Sequence, residues 1–189
     1  MTNIKRKAPP GDFAIWIFIF AELSVFAIFF LAYAFARYNN VEMFNEYQAT
    51  LDKTAGMINT IALLTSSLFV AMAVHFMQKN EIKKTTFYLY LSIVMGFIFL
   101  VVKSYEYSHI FGEGISLSTN LFYMFYISLT FFHFMHVLLG MIILLAVAVK
   151  NQQGAYSSSN MAGLETGASY WHMVDLVWVI LFPLVYIIK

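Results

Sequence analysis

Long apolar runs separated by short polar segments are the main pattern of the chain. Five runs are long enough to cross a bilayer as helices, which takes about 20 mostly apolar residues. The predicted spans are 13–36, 57–77, 87–110, 121–149 and 169–188. A Pro-Pro-Gly sequence ends at Gly11, so Asp12 is the predicted N-cap of the first helix. The pattern predicts an all-α integral membrane protein. It has a tail at 1–12 and one domain at 13–189, a bundle of five transmembrane helices.

Composition supports a membrane protein and excludes several kinds of site. The chain is 61% hydrophobic and only 11% charged, whereas about 25% of residues are charged in an ordinary soluble domain. It has no cysteine, which excludes disulfides, thiolate metal sites and iron–sulfur clusters. A net charge of +1 gives no support for a nucleic-acid partner.

The distribution of basic residues between the loops predicts the orientation, because cytoplasmic loops are enriched in Lys and Arg. The side that carries the N-terminal tail holds Lys5, Arg6, Lys7, Lys79, Lys83, Lys84 and Lys150. The other side holds Arg37, Lys53 and Lys189. The N-terminus is therefore expected in the cytoplasm and the C-terminus outside.

Three ionisable residues of the first and third spans need a partner or a role, because a charge at mid-bilayer is costly. Glu22 has no basic residue within a helical turn, which leaves a structural or a proton-handling role open. Lys103 and Glu106 have the i,i+3 spacing of an ion pair. We expect this pair near the outer membrane interface, with the long Lys103 stem reaching toward it. A polar path from outside is the alternative.

His133 and His136 share one face near the middle of the fourth span. As neutral imidazoles they would cross-link helices by hydrogen bonds. Alternatively they could hold a metal with Glu22 and Glu106, or one of them could ligate haem. His136 and His133 do not form the Glu-x-x-His motif of carboxylate-bridged di-metal bundles.

A further ionisable pair, His172 and Asp175, lies one turn apart near the predicted start of the last span. We expect it close to the cytoplasmic surface, where the two side chains bond each other or adjacent helices. The neighbouring Trp171 and Trp178 are expected to anchor the helix at the membrane interface or against a partner.

Small polar residues concentrate in the second span, at Asn59, Thr60, Ser66 and Ser67. Such residues let helices approach and hydrogen-bond across the contact, so this helix is expected to be the most buried. No segment resembles a nucleophile with its base or a nucleotide site, and no catalytic residue is assigned. These patterns do not by themselves name a function, and they leave open a metal- or haem-binding membrane enzyme and a small transporter.

The motifs together resemble subunit III of the haem–copper oxidase superfamily in its short five-helix form, which includes quinol oxidase and nitric oxide reductase-associated versions. The resemblance extends from Gly11 to Tyr186. The segments that carry it are WIFIFAELSVFAIFFLAY, NTIALLTSS, KSYEY, FFHFMHVLLG and GLETGASYWHMVDLVWVILFPLVY.

The resemblance implies an accessory subunit of a respiratory complex in the inner (cytoplasmic) membrane. Such a subunit packs against the catalytic subunit I, stabilises it and supports its proton uptake, and it holds structural phospholipids. Haem and copper are expected in the partner, with none bound by this chain. The family's internal polar framework matches Glu22, Glu106, His133, His136, His172 and Asp175. In this framework the His172–Asp175 pair is expected to fasten the last helix to the bundle.

Two positions depart from the usual pattern of this family. Lys103 stands where many members have an uncharged polar residue. The ending ILFPLVYII, which contains Pro183, resembles versions associated with nitric oxide reductases. The resemblance therefore leaves the terminal acceptor of the complex, oxygen or nitric oxide, undecided.

Overall fold

The structure, a computed structural model, describes residues 11–188. Within this range the chain is helical and five helices are long and apolar enough to cross a membrane, which confirms the predicted class. The helices are α1 (Phe13–Asn39), α2 (Val41–Ala49), α3 (Lys53–Gln78), α4 (Ile82–Gly112), α5 (Leu121–Gln152) and α6 (Ala162–Phe182). A π-helical turn, Pro183–Ile187, continues α6.

Several helices extend beyond the predicted bounds, and for α3 a capping side chain, not the end of the apolar run, determines where the helix begins. Asp12 accepts a bond from the Ala14 N–H at 3.3 Å, which confirms it as the N-cap of α1. Asp52 accepts from the N–H groups of Thr54 and Ala55 at 2.9 and 3.1 Å, so α3 begins at Lys53 and not at 57. The last helix begins at Ala162 and not at 169. At these ends the helices continue through polar residues. They can do so because side chains outside the hydrocarbon region need not be apolar.

The short helix α2 was not predicted. It follows α1 directly after Asn40, and Arg37 of α1 donates a hydrogen bond to Asn45 at 2.8 Å. Its Phe44 is fully buried, with its ring 5.4 Å from the Tyr33 ring and 5.6 Å from the Phe122 ring. Nine residues with a polar outer side are too few to stand out in an apolar pattern.

Helix α6 lies at the centre of the bundle and packs against α1, α3 and α5. In its most apolar stretch 56% of the residues are buried, against 33% in α3. The expectation that the second span is the most buried helix is therefore wrong. Helix α3 packs against α4 and, less extensively, against α6.

The two tryptophans of α6 are fully buried, so the expectation that they anchor the helix at the membrane interface or against a partner is also wrong. Trp171 occupies a slot between α4 and α5 that two glycines make possible. A Cβ at Gly140 would lie 2.8 Å from the Trp171 ring, and one at Gly96 would lie 3.0 Å from it. Trp178 packs edge-on against Phe99, with the ring centroids 4.9 Å apart.

One end of the bundle gathers the turn between α3 and α4, the loop between α5 and α6, and the start of α1. Asn80 donates to the Ser158 hydroxyl at 2.8 Å, and the Gly11 N–H donates to Glu165 at 3.0 Å. The basic residues at this end are Lys79, Lys83, Lys84 and Lys150. Residues 1–10, which include most of the predicted tail and its three basic residues, lie outside the described residues, as does Lys189.

Candidate functional site

A closed network of ionisable and phenolic groups fills the bundle toward the end opposite Gly11. Lys103 donates to Glu106 at 3.1 Å, to the Tyr126 hydroxyl at 2.9 Å and to the Tyr186 hydroxyl at 2.6 Å. The other oxygen of Glu106 accepts from both hydroxyls, with Tyr186 at 2.8 Å. All three ammonium protons and both carboxylate oxygens therefore have partners, which compensates for the removal of both charges from water.

The position of Lys103 differs from the prediction. Its side chain is fully buried and its ammonium lies over the rings of Tyr126 and Tyr186, 4.7 and 5.3 Å from their centroids. The predicted reach of its stem toward the outer interface is wrong, because three hydrogen bonds and the aromatic faces hold the ammonium inside the bundle. Cation–π contacts of this kind gain strength when the cation is desolvated.

A cavity of about 480 Å³ leads from the ends of the helices to the carboxyl of Glu106. The corner between α2 and α3 contributes Asp52 to its lining, and the end of α4 contributes His109 and Glu113. His109 and Glu113 lie 3.5 Å apart and are exposed. Glu106 thus belongs both to the buried network and to the lining of this cavity.

Glu22 has its partner on another helix. The His136 Nε2 lies 3.0 Å from the Glu22 carboxyl, which joins α5 to α1. The other ring nitrogen, Nδ1, lies 2.7 Å from the carbonyl oxygen of Phe132 and donates to it, because a carbonyl only accepts. Two arrangements satisfy the hydrogen bonding of both groups. In one, a protonated Glu22 donates to Nε2; in the other, a protonated His136 donates to the Glu22 carboxylate.

His133 behaves differently from its neighbour His136. It is fully buried, and neither ring nitrogen has a hydrogen-bond partner among the residues that the structure describes. Its ring stacks on Trp178 at a centroid distance of 5.2 Å and meets Phe99 edge-on at 5.6 Å. Of the two histidines expected to cross-link helices by hydrogen bonds, only His136 does so in the described part of the chain.

The small polar residues of α3 face two neighbouring helices. Ser66 bonds the hydroxyl and the carbonyl oxygen of Ser92 on α4, at 2.7 and 2.8 Å. Thr60 accepts from the Trp178 indole N–H at 3.0 Å, which ties α3 to α6. Asn59 is fully buried, and its amide has no partner within residues 11–188.

The His172–Asp175 pair lies deeper along α6 than expected, with the His172 ring half-exposed and Asp175 buried. Because α6 begins at Ala162, His172 lies ~15 Å along the helix from its start, near mid-membrane depth. The expectation that the pair lies close to the cytoplasmic surface is therefore wrong. The His172 Nδ1 bonds the hydroxyl of Ser67 at 2.7 Å and lies 3.6 Å from the Asp175 carboxyl.

Sequence reasoning missed the residues that complete these contacts. Tyr126 and Tyr186 are 20 and 80 residues from Glu106 along the chain, so no local spacing connects them. Gln48 of the unpredicted α2 donates to the carbonyl oxygens of Val185 and Ile188, at 2.9 and 3.0 Å. These bonds satisfy carbonyls at the end of the π-helical turn.

No group of three or more His, Cys, Asp or Glu side chains that could hold a metal ion occurs among residues 11–188.

Comparison with known proteins places this arrangement in a family. The sequence model described as cytochrome c oxidase subunit III matches residues 11–189. The chain belongs to the cytochrome c oxidase subunit III family. This confirms the resemblance carried by the five motifs, and the protein is a multi-pass membrane protein of the haem–copper oxidase subunit III type.

Three relatives show the range of this subunit III family. A cytochrome c oxidase subunit 3 of Synechocystis is 33% identical over 177 residues, 93% of this chain and 75% of the relative. A probable quinol oxidase subunit 3 of Staphylococcus saprophyticus is 25% identical, over 92% of this chain and 86% of the relative. A heme-copper oxidase subunit I+III of Aeropyrum pernix is 29% identical over 93% of this chain, which is 22% of that longer protein.

Proposed function

We propose that this chain is the accessory subunit III of a respiratory haem–copper oxidase superfamily complex, packed in the membrane against the catalytic subunit I. The observation that carries the proposal is the family match along residues 11–189. A relative whose name combines subunits I and III in one protein supports subunit I as the partner. In this complex the haem and copper belong to subunit I, and the chain itself takes part in no redox step.

The role we propose for the chain is to stabilise subunit I and to support its proton uptake over many turnovers. The internal contacts support a structural role, because Glu22, Glu106 and Lys103 bond partners inside the bundle. Lipid is a second proposed ligand. An open groove of about 340 Å³ beside His136, lined by Leu138 and Ile142, has the apolar surface that a phospholipid acyl chain requires.

We further propose that the complex lies in the inner (cytoplasmic) membrane, with the N-terminus of this chain in the cytoplasm. The clustering of Lys79, Lys83, Lys84 and Lys150 at the Gly11 end of the bundle supports this orientation. The terminal acceptor of the complex is oxygen or nitric oxide. The relatives compared above carry oxidase names, whereas the ending around Pro183 favours a nitric oxide reductase partner.

The test is purification of the chain from native membranes under mild conditions. We expect it to co-purify with a haem-bearing subunit, identified by its absorbance spectrum and by mass spectrometry. Assays of oxygen and nitric oxide consumption on the same sample identify the acceptor. Removal of this chain should leave initial turnover intact and shorten the number of turnovers before inactivation. Recovery of the chain alone, with a Soret band or stoichiometric metal of its own, would refute the proposal and favour a stand-alone enzyme.

A further inference from the structure

The outer face of α6 carries an ionisable pair that the bundle leaves incompletely satisfied. The side chain of His172 is 42% exposed and that of Asp175 is 11% exposed. Within residues 11–188, the ring bonds only Ser67, through Nδ1. The structure gives the carboxyl of Asp175 no hydrogen bond there, only the His172 ring at 3.6 Å.

The depth of the pair makes this exposure significant. His172 lies ~15 Å from the start of α6, and its partner Ser67 lies ~21 Å from the start of the 26-residue helix α3. Both positions fall near the middle of their spans, where neither water nor lipid chains supply hydrogen bonds. Ionisable groups at this depth normally face protein or a water-filled cavity. Contact with lipid alone would leave the imidazole Nε2 and the carboxyl unsatisfied.

The other mid-membrane carboxyl near the surface provides an internal comparison. Glu22 is 20% exposed and its partner His136 is 10% exposed, and the two bond each other at 3.0 Å. That pair needs no further protein to be satisfied. The His172 ring is more open than either of these groups and its Nε2 has no partner within residues 11–188, so it is the side chain that requires an outside partner.

The residues around the pair form a surface suited to a helix. One face of α6 carries the half-buried His172 and the exposed Leu176, Val179 and Ile180, here called the α6 strip. Their spacing of four, seven and eight residues follows one side of a helix. Helix α6 is otherwise the most buried span, so this strip is its open surface between the neighbours α1 and α3. A polar residue at one end of an apolar strip can hydrogen-bond across a contact between membrane helices.

We infer that the α6 strip is the docking surface for a transmembrane helix of the catalytic subunit, and that this helix presents a hydrogen-bonding group opposite the Nε2 of His172 at mid-membrane depth. The inference rests on the proposed function, which supplies the partner. The exposed Nε2 of His172 has no partner within residues 11–188, and the relative whose name combines subunits I and III supports the catalytic subunit as the source of one. A hydroxyl or an amide on the partner helix would bond the imidazole, while its apolar residues would cover Leu176, Val179 and Ile180.

Site-specific photo-crosslinking in the intact complex tests the surface. The photoreactive residue p-benzoylphenylalanine replaces Leu176, and matched controls carry it at Val94 of α4 and Ile142 of α5. These three positions are 49%, 53% and 57% exposed. We expect position 176 to crosslink to the haem-bearing subunit at least about tenfold more than the controls, because the reaction requires direct contact. Mass spectrometry of the product identifies the partner.

Substitution of the pair gives a second measurement. We expect His172→Leu and Asp175→Ala to lower retention of the haem-bearing subunit in detergent by about tenfold, as for the loss of a hydrogen bond to a desolvated charged group. The control His109→Leu, at an exposed end of α4, should retain it. The melting temperature of each chain shows whether it folds, and the crosslinking experiment stands without these variants.

Three outcomes would overturn the inference. Crosslinks to the haem-bearing subunit from 94 or 142 but not 176 would place the docking surface elsewhere and leave the accessory function intact. Crosslinks from 176 to a second copy of this chain would identify the strip as a self-association surface. Absence of any co-purifying haem subunit would refute both the surface and the proposed function.

Discussion

At the scale of single residues, the fully buried Lys103 shows how this bundle accommodates charge. Its ammonium is surrounded by one carboxylate, two phenol oxygens and aromatic faces, so each proton has an acceptor. Removal of one partner would leave the opposite charge in a site without water. Removal of both would leave neutral groups of similar volume. The ion pair is therefore a matched unit whose members depend on each other.

Single and double substitutions of this pair should give very different stabilities. We expect Glu106→Gln to lower the free energy of unfolding by about 3–5 kcal/mol, because it leaves the Lys103 ammonium uncompensated. The double variant Lys103→Met with Glu106→Gln should lose much less. Thermal unfolding in detergent of the wild type, both single variants and the double variant completes the cycle. Additive losses would show that the two groups do not stabilise each other.

The contact between Glu22 and His136 leads to a different expectation. In Glu22→Gln the amide can still bond the imidazole, so folding and assembly should remain intact, while the group loses its ability to carry charge. We expect any change to appear only as a shorter turnover lifetime of the complex. Glu22→Ala loses the bond and should cost about 1 kcal/mol of stability. A large loss of assembled complex in Glu22→Gln would make the residue structural.

At the scale of elements, the central helix α6 depends on close approach of its neighbours. Trp171 reaches its slot because Gly96 and Gly140 leave room for the indole ring. Bonds from Thr60 to Trp178 and from Ser67 to His172 then connect α6 to α3. The polar residues of α3 thus help to hold α6 in place, although α3 itself is less buried than α6.

Gly140→Ala should disturb this packing. The added Cβ would lie 2.8 Å from the Trp171 ring, and overpacking of this kind typically costs about 1–3 kcal/mol. The matched control is Gly112→Ala at the end of α4, where nothing lies within 4 Å of the added atom. Melting temperatures in detergent compare the two variants. An equal melting temperature for both would show that the slot has room to relax.

At the scale of the whole molecule, the bundle has two chemically different ends. The Gly11 end gathers the basic loops, whereas the opposite end holds the cavity that leads to Glu106. Bonds between distant segments, such as Asn80 with Ser158, support the assignment of these loops to one end. The proposed orientation places the Gly11 end at the cytoplasm.

Labelling of single cysteines tests that orientation without background, because the natural chain has no cysteine. Ser118→Cys lies in the loop between α4 and α5, and Ser159→Cys lies in the loop between α5 and α6, both exposed. A membrane-impermeant maleimide should label the variant at 118 in intact cells, and the variant at 159 only after permeabilisation. The reverse pattern would place the N-terminus outside.

The sequence by itself determined the five spans, because about 20 apolar residues have few alternatives to a membrane helix. It also determined the Asp12 cap and the shared face of Lys103 and Glu106, since neighbours three residues apart meet on any helix. Tertiary structure alone decided that Glu22 meets His136, 114 residues away. It also decided that Lys103 turns inward and that the His172 ring faces outward while Asp175 beside it is buried. Local periodicity defines the faces of a helix, but only packing determines which face meets protein.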